Sequence, residues 1–340
     1  MSSGVAERAD ERTGPALIAS SRAVVDPALR AAVDTLPGPI RLISGYHLGW
    51  WEPDGSECTA GAGKAIRPAL ALAAAEATGG DPAAAVPAAV AVELVHNFSL
   101  LHDDVMDGDA TRRHRPTAWR VFGVNSAILA GDALLGLAMD IVADRPAAVR
   151  NLSRTVQDLL AGQAEDLAFE QRAEVTVAEC ATMAGQKTGA LLGSACSLGA
   201  LFGGAEPELI PAMQAFGNRL GLAFQHIDDL LGIWGDPALT GKPVHSDLSS
   251  RKKSLPVVAA LASGTVWATR LRDIYSRSGP LNANDLALAA SLVDLAGARR
   301  WSQEEADRLF TEAITELEQV CPGDTTGLAA LATLITHRDH

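Results

Sequence analysis

Stretches rich in alanine, leucine and valine recur along this chain, and most of them stop at glycine or proline. The first begins near Pro15 and ends at Leu36-Pro37-Gly38-Pro39. Others cover residues 66–78, stopped by Gly79-Gly80-Asp81-Pro82, then 83–106, 126–142, 147–172, 177–203 and 207–234, the last stopped by Gly235-Asp236-Pro237. Shorter runs lie near 254–263, 283–297, 302–320 and 325–337, and the stretch from Gly49 to Gly63 reads as turns. Alanine and leucine favour helix, whereas glycine and proline punctuate it. No strand alternation of useful length interrupts the pattern, nor does a G-x-G-x-x-G after a strand. The chain is therefore expected to be all-α, a single-domain multi-helix bundle over residues 15–340, with residues 1–14 as a disordered lead.

Composition narrows the function classes. Of 340 residues, 48% are hydrophobic, enough for a sizeable core. With 28 basic against 41 acidic residues the net charge is −13, which argues against nucleic acid as a partner through a global basic footprint. The most apolar stretch, 188–203, is short for a membrane span and dense in small residues, so no transmembrane segment is expected. Cys58, Cys180, Cys196 and Cys321 form no C-x-x-C pair, and the first residues contain no apolar signal region. A cytoplasmic protein fits these features.

Chemistry concentrates where apolar runs meet aspartates. In Leu101-His102-Asp103-Asp104-Val105-Met106-Asp107, Asp103 and Asp107 fall on one helical face. Like charges at that spacing favour a hard cation, and Mg²⁺ needs only one or two carboxylates plus substrate phosphate. A second pair, Asp228 and Asp229, interrupts the run Phe224–Gly232, here with glycine at the i,i+4 position. Cations accompany both: Lys64 and Arg67 upstream, Arg112 and Arg113 after the first cluster, Lys187 between the two, Lys242 and Lys252-Lys253 after the second. Carboxylates beside cations point to a polyanion such as a diphosphate.

These motifs, in this order, resemble those of the trans-isoprenyl diphosphate synthases, the polyprenyl synthetase family. The chain matches D-D-x-x-D followed by R-R at Asp103, Asp104, Asp107, Arg112 and Arg113. It matches G-G-K-x-x-R-P at residues 62–68, a His or Gln seven before the first aspartate at His96, and K-T at Lys187-Thr188. F-Q-x-x-D-D-x-x-D is met at Phe224, Gln225, Asp228 and Asp229, and a G-K with a further Lys at Gly241-Lys242 and Lys252.

The resemblance implies an isoprenoid-synthase bundle around a deep central cavity, and a homodimer. It implies Mg²⁺, three ions per active site, held by Asp103, Asp104, Asp107, Asp228 and Asp229 between which an allylic diphosphate would sit. Arg112, Lys187, Lys242 and Lys252 would add fixed positive charge as the diphosphate departs. Gln225 and Thr188 would stabilise the allylic cation as dipoles, and with Lys187 they form the implied catalytic set. Lys64, Arg67, His96 and Arg113 would hold isopentenyl diphosphate, whose alkene attacks the cation while the released pyrophosphate takes the proton. Phe98 and Ser99, five and four residues before Asp103, would set product length. That pattern resembles geranylgeranyl diphosphate synthases, with farnesyl diphosphate the next product to expect.

Three departures stand out: Ala62 replaces the first Gly of G-G-K, Gly232 replaces the last Asp of the second motif, and Ser246–Lys253 is unusual for the family. Two other functions stay open, the second of them because of Ala62 and the missing distal Asp. A terpene cyclase or lyase on the same fold would need no isopentenyl site, yet Lys64, Arg67, His96 and Arg113 persist. A non-catalytic partner subunit of a prenyl synthase would show no turnover alone. His47 reads as a surface-loop residue.

Overall fold

A computed structural model of the protein describes residues 13–58, 63–237 and 243–337. Most of the expected disordered lead lies outside the described residues, but Gly14 already begins the first helix. The helices are α1 (Gly14–Val33), α2 (Gly38–His47), α3 (Ile66–Ala77), α4 (Val86–Met106), α5 (Ala118–Phe122), α6 (Val124–Ile141), α7 (Pro146–Gln171) and α8 (Val177–Ala184). A π-helical turn, Gly185–Gly189, leads into α9 (Ala190–Gly203). There follow α10 (Leu209–Trp234), α11 (Ser246–Ser249), α12 (Leu255–Ala262), α13 (Val266–Tyr275), α14 (Ala283–Leu295), α15 (Ala298–Val320) and α16 (Thr326–Thr336). The one two-stranded ladder among the described residues pairs β1 (Thr111–Arg112) with β2 (Arg115–Pro116).

The all-α expectation holds, and the long helices fall within a few residues of the runs that announce them. Four helices escape that reading: the short α5 and α11, and the longer α2 and α13. Helix α2 opens at Pro37-Gly38-Pro39, which looks like a break, but proline is tolerated in a helix's first turn where its missing N–H has no helical partner. Helix α13 interleaves its apolar residues with Arg270, Arg272 and Asp273 and so does not stand out, and is started by the Thr265 side chain, which accepts from the Ala268 N–H.

The helices gather into two compact units. The first comprises residues 1–156, 191–214 and 317–331. At its centre α4 is buried on nearly every face from Ala88 to Leu101, packed between α3 and α6. That wrapping explains why so apolar a helix needs no membrane. Among the described residues two segments could cross one by length and composition alone, Pro82–Met106 and Val124–Ile141, but the apolar window of the first is 72% buried. The second is only 28% buried and shows Val124, Ile128 and Leu129 on its surface. The small residues of α9 serve close packing, because a side chain on Gly199 would overlap the Ala71 carbonyl of α3.

The second unit comprises residues 157–190, 215–316 and 332–340. Ile233, Leu248, Val257, Leu271, Ile274, Leu292 and Val293 form one core, with Trp234 and Trp267 against it. Helices α10 and α15 are tied by His226, whose Nδ1 lies 2.8 Å from Ser302 Oγ and whose ring meets Trp301 edge-on.

Burial lowers the His226 pKa to about 4. The unfolded chain therefore takes up a proton that the folded chain refuses as pH falls below the ordinary histidine value. The stability that neutral His226 contributes is full above that value and is lost as pH drops towards 4. Between pH 7.5 and 5 this costs about 2 kcal/mol. Urea unfolding at the two pH values should show His226→Gln losing less stability than the wild type by that amount.

Candidate active site

The first unit carries the first aspartate cluster at the C-terminal end of α4, where the apolar helix reaches solvent. Asp103 is half-buried, Asp107 exposed, and Asp104 only 1% exposed. A buried carboxylate needs a partner, and Arg112 provides it, donating from Nε to Asp104 Oδ1 over 2.7 Å. Burial still outweighs that help and pushes the Asp104 pKa up to about 6. Asp104 Oδ2 has no hydrogen-bond partner.

Arg112 stands on a two-residue hairpin whose turn residues, Arg113 and His114, both have positive φ (51° and 63°). This is type I′ turn geometry, normally given to Asn-Gly, so two ordinary side chains are held in a strained conformation. The turn aims Arg113 inward: a side chain on Gly63 would lie 2.5 Å from its guanidinium. Ala65, between Lys64 and Arg67, is likewise left-handed (φ 50°).

His96 lies behind these cations. Burial, then the charges of Arg67, Arg113 and Arg112, hold its pKa well below the ordinary value, so the ring is neutral. Glu93 is buried one turn away and accepts from Asn97 Nδ2 at 3.1 Å. Phe98 is 3% exposed and meets His102 edge-on at 4.8 Å, while His102 Nε2 lies 3.1 Å from the Ile128 carbonyl. Ser99 is buried, and its hydroxyl donates to the His96 carbonyl.

The second unit contains a cavity of about 150 Å³ lined by Asp166, Lys187, Gln225, Asp228, Asp229, Lys252 and Ser254, with Met183 and Ala184. Lys187 and Thr188 sit on the π-helical turn, a wide turn that often marks functional positions. Two glycines make room for it. A side chain on Gly162 of α7 would come within 2.5 Å of the Lys187 backbone nitrogen, and one on Gly221 of α10 within 2.5 Å of Gly189 Cα.

A chain of hydrogen bonds fixes the cavity wall. Thr188 Oγ1 donates to Gln225 Oε1 at 2.7 Å, and Gln225 Nε2 donates to Asp229 Oδ1 at 2.8 Å. Asp229 Oδ2 accepts from the Leu255 N–H at 2.9 Å. Lys252 Nζ lies 3.6 Å from Asp229 Oδ1. Asp229 is 3% exposed, and burial raises its pKa to about 6 although Lys252 opposes the shift. Burial alone would lower the Lys252 pKa, but Asp229 and then Asp247 beside it raise it above the ordinary ammonium value. Asp228 is exposed at the cavity.

Each unit thus shows an open first aspartate and a buried second one beside a cation from later in the chain. Lys242 and Ala62 lie outside the described residues. Sequence reasoning missed Asp166, which accepts from Lys187 Nζ at 2.6 Å, and Ser254, 1% exposed with an unpartnered hydroxyl. Neither belongs to a motif that would reveal it. The surface-loop reading of His47 is corrected: it ends α2, and burial followed by Arg113 and Arg112 lowers its pKa to about 3. Proline and glycine at the start of α2 hid the helix that carries it inward.

Carboxylates open to solvent, Asp103, Asp107 and Asp228, suit a hard cation. No three His, Cys, Asp or Glu side chains close into a metal cage among the described residues. The buried, unpartnered Asp104 Oδ2 fits a further ligand at the same place.

The polyprenyl synthetase family model matches residues 55–293. A geranylgeranyl diphosphate synthase of Mycobacterium tuberculosis is 48% identical over 96% of this chain and 94% of its own length. A (2E,6E)-farnesyl diphosphate synthase of Mycobacterium bovis is 46% identical over 92% and 89%. Among solved structures, a polyprenyl synthetase from Streptomyces coelicolor A3(2) superposes with a TM-score of 0.89 at 46% identity, covering 94% of this chain and 98% of that one.

Because the π-turn depends on close helix approach, Gly162→Ala pushes against backbone rather than a movable side chain. It should cost about 1–3 kcal/mol in denaturant unfolding and reduce turnover more than stability alone explains.

Proposed function

The chain belongs to the polyprenyl synthetase family and is a short-chain prenyl transferase; within that activity we propose that it joins isopentenyl diphosphate to an allylic diphosphate and ends at geranylgeranyl diphosphate. We assign residues 15–340 to one catalytic domain, since relatives match along nearly the whole chain. The observation that carries the reading is the cavity of the second unit, where Lys187 and Lys252 stand among carboxylates and beside an oriented amide. Such a wall suits a diphosphate bound with cations rather than a neutral substrate.

Asp103, Asp107 and Asp228 would hold Mg²⁺, with the buried Asp104 and Asp229 beside them holding Arg112 and Lys252 in place. When bound, Mg²⁺ neutralises charge on the leaving diphosphate as a Lewis acid. Three ions match the charge of a diphosphate and its carboxylate ligands. Lys187 and Lys252 present ammonium groups to the same leaving group. Thr188 and Asp229 hold the Gln225 amide from both ends, so its carbonyl dipole stays fixed while an allylic cation develops. Lys64, Arg67 and Arg113 would bind the second diphosphate, and neutral His96 can donate a hydrogen bond without adding charge. Phe98, about one turn before Asp103 and backed by His102, would act as the floor that stops elongation.

The two other functions are not favoured: the relatives named above are synthases. A homodimer through α6 accounts for the exposed Val124, Ile128 and Leu129 on a helix otherwise apolar enough for a core. A cytoplasmic location accords with four free cysteines.

Purified protein with Mg²⁺, isopentenyl diphosphate and dimethylallyl, geranyl or farnesyl diphosphate should give a twenty-carbon diphosphate by mass spectrometry, and Phe98→Ala longer products. Hydrocarbon or alcohol formed without isopentenyl diphosphate, or no turnover, would overturn the reading. By light scattering the protein should have a dimer's mass, and Leu129→Glu a smaller one.

A further inference from the structure

The cations assigned to the second diphosphate come from two segments of the first unit, Lys64 and Arg67 from the stretch that enters α3 and Arg113 from the hairpin. Both segments are strained, with Ala65 at φ 50° and Arg113 at φ 51°. Ala65 is the N-cap of α3, and an alanine there has no oxygen with which to cap the helix. Such conformations persist only where the surroundings over-determine them. The two segments meet at Gly63. A Cβ built there would lie 2.5 Å from Arg113 Nη2 and 2.8 Å from its Cζ, so the guanidinium rests where a side chain would stand.

Helix α1 holds Gly63 in place. Arg22 Nη2 donates to the Gly63 carbonyl across 41 positions of sequence. The helix gives that arginine a firm base, because Ser21, Val25 and Leu29 are buried along α1, which packs on α3 and α4. Arg22, Asp26, Gly63, Glu93 and Arg113 line one cavity of this unit. Within it the charges act on one another. Burial lowers the Arg113 pKa, Glu93 opposes that shift, and Arg112 and Arg22 add to it. Burial raises the Asp26 pKa, and Arg22, one helical turn away, opposes the rise. Helix α1 precedes residues 55–293, the stretch that the family model matches, so Arg22 lies outside that stretch.

We propose that Arg22 is a positioning residue of the isopentenyl diphosphate site: by clamping the Gly63 carbonyl it keeps Lys64 and Arg113 directed at the second diphosphate. The first helix then takes part in substrate binding as well as in the core. The proposal rests on the reading of Lys64, Arg67 and Arg113 as that site, and its test is arranged so that the two can fail separately.

Isopentenyl diphosphate binding is measured by calorimetry on the whole protein with Mg²⁺, with KM for the isopentenyl and allylic substrates alongside. Arg22→Met removes the clamp. It should weaken isopentenyl diphosphate binding and raise its KM about tenfold, with KM for the allylic diphosphate unchanged. Arg22→Lys keeps a charged donor with a shorter reach and should show the same split at smaller size, which serves where Arg22→Met folds poorly. Gly63→Ala pushes on the far end of the Arg113 side chain and should share the split. A purely structural role would lower the active fraction or move both KM values together. Wild-type isopentenyl diphosphate affinity in Arg22→Met or Gly63→Ala, or an equal rise in both KM values, would overturn the proposal. Wild-type protein that binds isopentenyl diphosphate with this pattern of variants yet makes no prenyl product would refute the functional reading and leave the inference standing.

Discussion

A carboxylate taken out of water must be matched, and the organisation of both units follows from two that are. Asp104 is buried against Arg112; Asp229 is buried against Gln225, the Leu255 N–H and Lys252. Removing one partner of such a group leaves an uncompensated charge and costs about 3–5 kcal/mol, so these contacts are not interchangeable with surface ion pairs. They determine where Arg112 and Lys252 stand. In both places burial raises the carboxyl pKa to about 6, which shows that the neighbouring cation offsets the desolvation only in part. The adjacent aspartates, Asp103 and Asp228, lie nearer solvent and escape that constraint.

Backbone strain follows the same residues. Among the described residues the non-glycine positions with positive φ are Ala65, Arg113, His114, His245 and Arg251. All but His245 are, or directly adjoin, a cation assigned to diphosphate binding: Lys64, Arg113 and Lys252. Each such residue costs about 1–3 kcal/mol. The helical cores around α4 in the first unit and around Ile233 and Val257 in the second offset that cost. Chemistry is thereby placed on short loops held by rigid helices, and the π-turn carrying Lys187 and Thr188 is a helical version of the same arrangement.

The helices and motifs were legible because they are local. Alanine-rich runs, terminating Gly and Pro, and the D-D-x-x-D spacing all act within a few residues. What could not be read depends on distant contacts. Asp166 becomes a site residue only because α7 brings it to Lys187. His47 looked like a loop residue because Pro37-Gly38-Pro39 reads as a stop when it is a helix start.

The division of labour within each aspartate pair is open to direct observation in a crystal structure with Mg²⁺ and an unreactive allylic diphosphate analogue. Metal–oxygen distances of about 2.1 Å should be found at Asp103, Asp107 and Asp228, with Asp229 still accepting from Gln225 and the Leu255 N–H. A metal ion ligated directly by Asp229, with those two hydrogen bonds broken, would contradict the account.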